Sequence, residues 1–435
     1  MKTFNIYTLG CKVNQYESEA MEKIFIQNGY DKVDRDQAAD TYIINTCTVT
    51  AAADSKSRQY ISKARKLNPQ ATIAVVGCYS QVSAEEVEAL EGVDIVVGTK
   101  HRHKILDLVE DYEKNQQKIN VVENIKKNQD FDEMETNEDR NMTRAYIKIQ
   151  EGCNMFCSYC IIPYARGPIS SRDYGHIIDE AKRLALAGYK ELILTGIHVE
   201  SYGKDKGKDY QRLIDVIEGV AAIDGIERIR LSSVEPNTIT DDFLARLKAT
   251  KKACDHFHLS LQSGSDDVLK AMNRRYDSKE YAEKIDLIRS YFPDAGITTD
   301  LICGFPGESE KNHQETMDFI RTINFSKIHI FPYSRREGTP AATFKNQVPN
   351  KIKKKRAREL NDLEGKIAGD FLDGYIGKTL DVLFEIHTSN SKYSSGYSTN
   401  YLRIKVPHDE SLKNTIKRVK IDKRIEDQLY GEIID

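Results

Sequence analysis

The chain has 435 residues, enough for two to four domains. Its 64 Lys and Arg against 67 Asp and Glu give a formal net charge of −3, which excludes a uniformly basic nucleic-acid binder and leaves polyanion contact to local patches. Hydrophobic residues make up 40%, enough for ordinary cores, and no apolar run reaches the length of a membrane span.

Met1 opens onto a strand-like stretch, so the sequence predicts a cytoplasmic protein without a signal peptide. In that compartment its eight cysteines are read as metal ligands or catalytic groups rather than disulfides. Over residues 1–113, strand-like runs "FNIYTL", "TYIINT", "TIAVVG" and "VDIVVG" alternate with helical patterns such as "YESEAMEKIFIQNG". Apolar strands joined by helices predict a parallel sheet covered on both faces. Cys11, Cys47 and Cys78 each follow one of these strands by one or two residues. The carboxyl ends of strands in an open parallel sheet share one edge, where ligands usually bind. The three thiols are therefore expected to converge, although buried or redox-inert thiols remain an alternative for this set.

Residues 114–143 are polar and Asn-rich and are expected to be a linker, with one short strand at "INVV". A second alternation occupies residues 144–368. Its strand candidates are "RAYIKIQ", "ELILTGI", "RIRLSS", "HFHLSL", "ITTDLICGF" and "KIHIFPYS". Six βα units in roughly 190 residues fall short of the eightfold barrel's about 250, so an open six-unit partial barrel is expected, with chemistry at the strands' C-terminal ends. Residues 351–358, "KIKKKRAR", carry six basic residues in eight. A helix follows, and residues 369–435 turn to a β pattern that predicts a small barrel of about five strands.

"EGCNMFCSYCIIPYARG" puts Cys153, Cys157 and Cys160 directly after the first strand of the partial barrel. A structural zinc site takes four protein ligands, as does a plain electron-transfer 4Fe-4S cluster. Three thiolates on a cubane leave one iron open for chemistry, where S-adenosylmethionine (SAM) can bind. A zinc site completed by a remote ligand is the alternative. Cys303 is read as a small core residue and Cys254 as an incidental thiol.

The C-x3-C-x2-C spacing of "CNMFCSYC" resembles the radical-SAM signature. Together with "LGCKVNQYESE", "NTCTVT" and "GCYSQ" it makes the whole chain resemble the radical-SAM methylthiotransferases. That resemblance implies an α/β N-terminal methylthiotransferase domain, a radical-SAM partial barrel and a C-terminal TRAM domain that binds RNA. It implies an auxiliary 4Fe-4S cluster on Cys11, Cys47 and Cys78, and a SAM-binding 4Fe-4S cluster on Cys153, Cys157 and Cys160. No catalytic residue is expected beyond these two clusters. SAM is expected against Thr195 and Gly196 after the second barrel strand, Ser233 and Glu235 after the third, Gln262 after the fourth, and Gly304 to Gly307 after the fifth. Ordinary loop capping is the alternative for Glu235 and Gln262. His198 and Arg166, near strand ends, are read as solvated loop residues.

For RNA the candidates are Lys353, Lys354, Lys355 and Arg356 of the basic run, with Tyr397, Tyr401 and Arg403 of the β region. Aromatics among basic groups suit stacking plus phosphate contact. Two alternatives stay open: a solvated helix face for the basic run, and a core position for Tyr401. The first cysteine loop, "LGCKVNQYESE", looks like that of the branch acting on threonylcarbamoyladenosine at tRNA position 37. This implies methylthiolation at carbon 2 of that base, with a flavodoxin- or ferredoxin-type electron donor and no DNA or membrane partner. Isopentenyladenosine in tRNA, a ribosomal protein, or a noncatalytic iron-sulfur module that binds RNA are the alternatives.

Overall fold

The computed structural model describes residues 1–125, 130–136, 143–385 and 392–434. Six strands form the first sheet: β1 (Thr3–Thr8), β2 (Asp31–Lys32), β3 (Thr41–Thr46), β4 (Thr72–Gly77), β5 (Ile95–Val97) and β6 (Ile119–Asn120). They run in the order β2-β1-β3-β4-β5-β6, and every pairing is parallel. All residues of β3 and β4 are buried, as strands covered on both faces must be. One core holds Phe4, Met21, Phe25 and Ile105; the core on the other face holds Tyr42, Ile44, Ile61 and Val75. β2 was not expected from the sequence, because both its residues are exposed and carry no apolar pattern.

The expected linker is not a loose tether. Ile125, Asp132 and Met134 are buried, and the Tyr16 hydroxyl donates to the Met134 carbonyl at 2.7 Å. Part of its acidic stretch, residues 137–139, lies outside the described residues.

The partial barrel comprises β7 (Arg144–Glu151), β8 (Ser170–Ser171), β9 (Glu191–Gly196), β10 (Arg228–Leu231), β11 (His256–His258), β12 (Gly296–Cys303) and β13 (Lys327–Pro332). β8 is a two-residue antiparallel addition to the outer edge of β7. The other six are the expected units, in two sheets, β10-β9-β7-β8 and β11-β12-β13, joined by the bridges Ile229–Ala253 and Val234–Leu259. Strand alternation sends Ile147, Ile149, Leu194, Phe257, Ile297 and Leu301 outward into one large core beneath the helices. The intervening residues, among them Lys148, His258 and Asp300, face the lumen. The first helix of the N-terminal sheet, Lys12–Gln27, packs into that lumen, and the Lys148 Nζ donates to Glu17 Oε1 at 2.9 Å.

The basic run and the helix expected after it form one continuous helix, Asn350–Asp373, which crosses the expected boundary at 368/369. A closed barrel ends the chain: β14 (Thr379–Phe384), β15 (Tyr393–Ser398), β16 (Arg403–Pro407), β17 (Ile416–Ile425) and β18 (Gln428–Ile433), in the order β14-β15-β16-β18-β17. It docks on the amino-terminal edge of the partial barrel. There the Arg228 guanidinium donates to the carbonyls of Tyr397 and Asp381, both at 2.9 Å, and Arg230 donates to Thr399 at 2.9 Å. Among the described residues no helix is long and apolar enough to cross a membrane.

Candidate active site

Cys11 caps the amino end of the helix Lys12–Gln27, Cys47 directly follows β3, and Cys78 opens the short helix Cys78–Val82 after β4. Glycine is required at two of these turns. A Cβ on Gly10 (φ +108°) would sit 2.8 Å from Cys47 Cβ, and one on Gly77 (φ +98°) would sit 2.7 Å from the Thr46 carbonyl oxygen. Asn14 ties the loops together, its Nδ2 donating at 2.8 Å to the carbonyls of both Leu9 and Thr46. The three thiols lie near enough to repel one another's charged forms. Burial pushes Cys47 up to about 12 and raises Cys78.

The second triplet lies in the loop between β7 and the short helix Ile162–Arg166. Burial pushes Cys153 up to about 11 and Cys160 up to about 12. All three of its cysteines line a cavity of about 330 Å³. Val49 and Thr50, two and three residues beyond Cys47, line the same cavity. The Cys47 loop is pinned there from the barrel side. Arg336 donates to Thr48 Oγ1 at 2.6 Å and pairs with Asp54 at 2.7 Å, and the Ser334 hydroxyl accepts the Ala51 amide at 3.1 Å. Cys153, Cys157 and Cys160 thus share one cavity with Val49 and Thr50 of the loop that follows Cys47.

Tetrahedral zinc with Zn–S near 2.3 Å would draw sulfurs to about 3.8 Å apart. Among the described residues the one group of three Cys, His, Asp or Glu with ligand atoms all within 4.8 Å is His258, Asp300 and His329. Neither cysteine triplet is drawn that tight. Each triplet also receives a buried arginine. Arg166 Nε donates to Cys78 Sγ at 3.1 Å, and Arg274 Nη1 donates to Cys157 Sγ at 3.3 Å.

Arg166 is thus no solvated loop residue. It is 1% exposed, pairs with Glu17 at 2.5 Å and Glu151 at 2.7 Å, and donates to Asn14 Oδ1 at 2.8 Å. Lys148 and Arg102 complete this buried charge cluster between the N-terminal sheet and the barrel. Burial opposes ionisation of Glu17, but the three cations outweigh it and hold the carboxyl at about 2. His198 is likewise buried rather than solvated. It lines the cavity, its Nδ1 lies 2.5 Å from Ser201 Oγ, and burial pushes it down to about 4.

Of the SAM candidates, Glu235 and Gln262 line the cavity; Thr195, Gly196, Ser233 and Gly304 do not. Thr195 is buried within β9, and Gly196 is pressed against the Gln150 carbonyl. Ser233 is solvent-exposed, and the Gly304 amide donates to the Glu308 carboxylate at 3.0 Å. Glu235 is paired with Arg274. Sequence reasoning missed Arg274, Asp300 and Tyr333, which also line the cavity, because nothing in their spacing marks them.

The RNA candidates divide. Lys353 and Arg356 are buried: the Lys353 ammonium donates to the Tyr333 carbonyl at 2.9 Å, and Arg356 pairs with Glu308 at 2.8 Å. They face the barrel because the helix is amphipathic, with one stripe against β12 and β13. Lys354, Lys355 and Arg403 are exposed. Tyr397 and Tyr401 are half-buried and stack at 4.9 Å. Arg144 lies over the Tyr397 ring, and Arg230 and His256 pack on Tyr401. These two rings serve the docking of the C-terminal barrel on the partial barrel. Lys405 forms another aromatic-basic set with Tyr393 and Tyr430, whose rings meet edge-on at 5.3 Å. Cys254 and Cys303 are buried, the latter as expected of a core residue.

Uncharacterized protein family UPF0004 matches residues 3–98, and the Radical SAM superfamily matches residues 147–320. The threonylcarbamoyladenosine tRNA methylthiotransferase MtaB of Bacillus subtilis is 42% identical over 97% of this chain and 94% of its own length. The chain belongs to the radical-SAM methylthiotransferases. As a member, its cofactors are SAM and 4Fe-4S clusters. The MtaB of Aquifex aeolicus is also 42% identical, over 86% of this chain and 91% of its own. The tRNA-2-methylthio-N(6)-dimethylallyladenosine synthase of Acetivibrio thermocellus is 34% identical over 100% and 91%. In fold, the chain is similar to the radical S-adenosylmethionine methyltransferase TsrM of Kitasatospora setae, with a TM-score of 0.56 at 14% identity, covering 78% of this chain and 76% of that one.

Proposed function

We propose that this radical-SAM methylthiotransferase acts on tRNA, converting threonylcarbamoyladenosine at position 37 to its 2-methylthio derivative. The observation that carries the reading is the cavity bordered both by Cys153, Cys157 and Cys160 and by Val49 and Thr50 of the loop that follows Cys47. In this reading Cys11, Cys47 and Cys78 hold the auxiliary 4Fe-4S cluster, and Cys153, Cys157 and Cys160 hold the one that binds SAM. Together the clusters and SAM supply radical cleavage of an unactivated C–H bond, a sulfur atom and a methyl group. The chain's own residues bind and orient. Glu235 and Gln262 hold SAM at the cavity wall, and Arg336 and Ser334 keep the Cys47 loop over it. The base enters unstacked, as loop nucleotides can. Lys354, Lys355 and Arg403 contact the RNA backbone. A flavodoxin- or ferredoxin-type protein supplies electrons, in the cytoplasm.

The substrate branch is supported by the "LGCKVNQYESE" loop and by the relatives. Relatives named for threonylcarbamoyladenosine are 35–42% identical, against 34–36% for the dimethylallyladenosine synthases. The test is nucleoside analysis of tRNA from cells lacking the gene. Threonylcarbamoyladenosine is expected to persist without its methylthio group. Loss of that group from isopentenyladenosine instead, with threonylcarbamoyladenosine unaffected, would place the enzyme on the other branch.

A further inference from the structure

β11, β12 and β13 are adjacent parallel strands, and their register places His258 opposite Thr298 and Asp300 opposite His329. The residues that alternate with these, Phe257, Ile297, Leu301 and Ile328, lie in the outer core. His258, Asp300 and His329 therefore all face the lumen. Their polar atoms lie within 4.8 Å of one another, with His258 Nε2 3.4 Å from Asp300 Oδ2. Thr298 Oγ1, 3.0 Å from His258 Nδ1, fixes that ring. Asp300 lines the cavity that holds Cys153, Cys157 and Cys160, and His329 is exposed on β13, the last strand of its sheet. The cluster thus runs from the cavity wall to an exposed side chain on β13.

We infer that His258, Asp300 and His329 read the polar substituent on N6 of the target adenosine, with His329 as the specificity-determining residue. This rests on the tRNA reading above. A threonylcarbamoyl group carries N–H and O–H donors for the Asp300 carboxylate, and a carbonyl and a carboxylate to accept from the imidazoles. A dimethylallyl group carries none of these. It would cover Asp300 and His329 while offering neither a hydrogen bond, which is how a polar site rejects an apolar analogue. The cluster accordingly selects by penalising the wrong substituent as well as by binding the right one.

The test uses the full, cluster-reconstituted chain without reductant, so that binding is read without turnover. Three anticodon stem-loop RNAs differ only at N6 of position 37: threonylcarbamoyl, dimethylallyl or unsubstituted. Fluorescence anisotropy gives each Kd. The unaltered chain is expected to prefer the threonylcarbamoyl RNA over the dimethylallyl one by tenfold or more, roughly the loss of one good hydrogen bond. His329→Leu should bring that ratio close to one while leaving affinity for the unsubstituted RNA unchanged, Asp300→Asn should also bring the ratio close to one, and His329→Gln should restore part of it. If the unaltered chain prefers the dimethylallyl RNA, the substrate reading fails and the inference with it. If it prefers threonylcarbamoyl and both variants keep the preference, the inference alone is overturned. Equal weakening for all three RNAs would make these residues general RNA contacts and likewise overturn it.

Discussion

Arg166 occupies a position where one side chain touches both halves of the machinery. It lies six residues beyond Cys160, yet donates to Cys78 of the other triplet. A charge-assisted hydrogen bond to a cluster sulfur favours the reduced, more negative state and raises its potential. Arg166→Gln is expected to lower the potential of the auxiliary cluster, read by EPR-monitored redox titration in a chain whose Cys153, Cys157 and Cys160 are alanine. An unchanged potential would reduce Arg166 to a packing role. In the proposed reading the cysteines themselves divide the labour. Cys47→Ala should spare reductive SAM cleavage and abolish methylthiolation, whereas Cys157→Ala should abolish both; full methylthiolation by the Cys47 variant would contradict that division. The positions of these six cysteines, at strand ends and in the loop after β7, were legible in the sequence because spacing and strand ends are local signals. Arg166, Arg274 and the lumen histidines were not. Their roles come from contacts between residues up to about 150 positions apart, which no local pattern records.

At the scale of elements, the helix Asn350–Asp373 shows why a charge run is a poor guide to a surface. Its basic stretch reads as one patch in sequence, but 3.6 residues per turn split it. Lys354 and Lys355 face solvent, while Lys353 and Arg356 face the barrel. Arg356→Ala leaves the buried Glu308 carboxylate without its cation, a cost of about 3 kcal/mol. It should lower the melting temperature by several degrees, while Lys354→Ala should leave it within about one degree. Equal melting temperatures for the two variants would contradict the buried pair. The longer strands were legible because apolar runs and alternation are strong. β2 and β8, two residues each, were not, because pairing alone defines them. The stacking of Tyr397 and Tyr401 against the partial barrel was hidden for a related reason: aromatics beside basic residues look alike whether they await a base or bind another domain.

In the whole molecule, the N-terminal sheet is held on the barrel by a buried ionic cluster rather than by an apolar seam alone. Its edge includes Asp132, where burial opposes ionisation but the His103 hydrogen bond and the Arg102 charge outweigh it and hold the carboxyl at about 2. A carboxylate depressed below its ordinary value contributes stability that is fully present above about pH 4 and lost as pH falls towards 2. For Asp132 that is about 2 kcal/mol, and Glu17 adds to it in the same direction. The melting temperature should therefore drop steeply between about pH 4.5 and 2, and Asp132→Asn should flatten part of that drop; an identical acid profile in the variant would contradict it. In the proposed reading such a rigid junction keeps the two clusters near one cavity, and their proximity is directly measurable. EPR of the fully reduced protein should show magnetic interaction between two reduced 4Fe-4S clusters, seen as broadening absent from both the Cys47→Ala and the Cys157→Ala chains. A spectrum that is the plain sum of those two variants' spectra would mean that the clusters do not share a cavity.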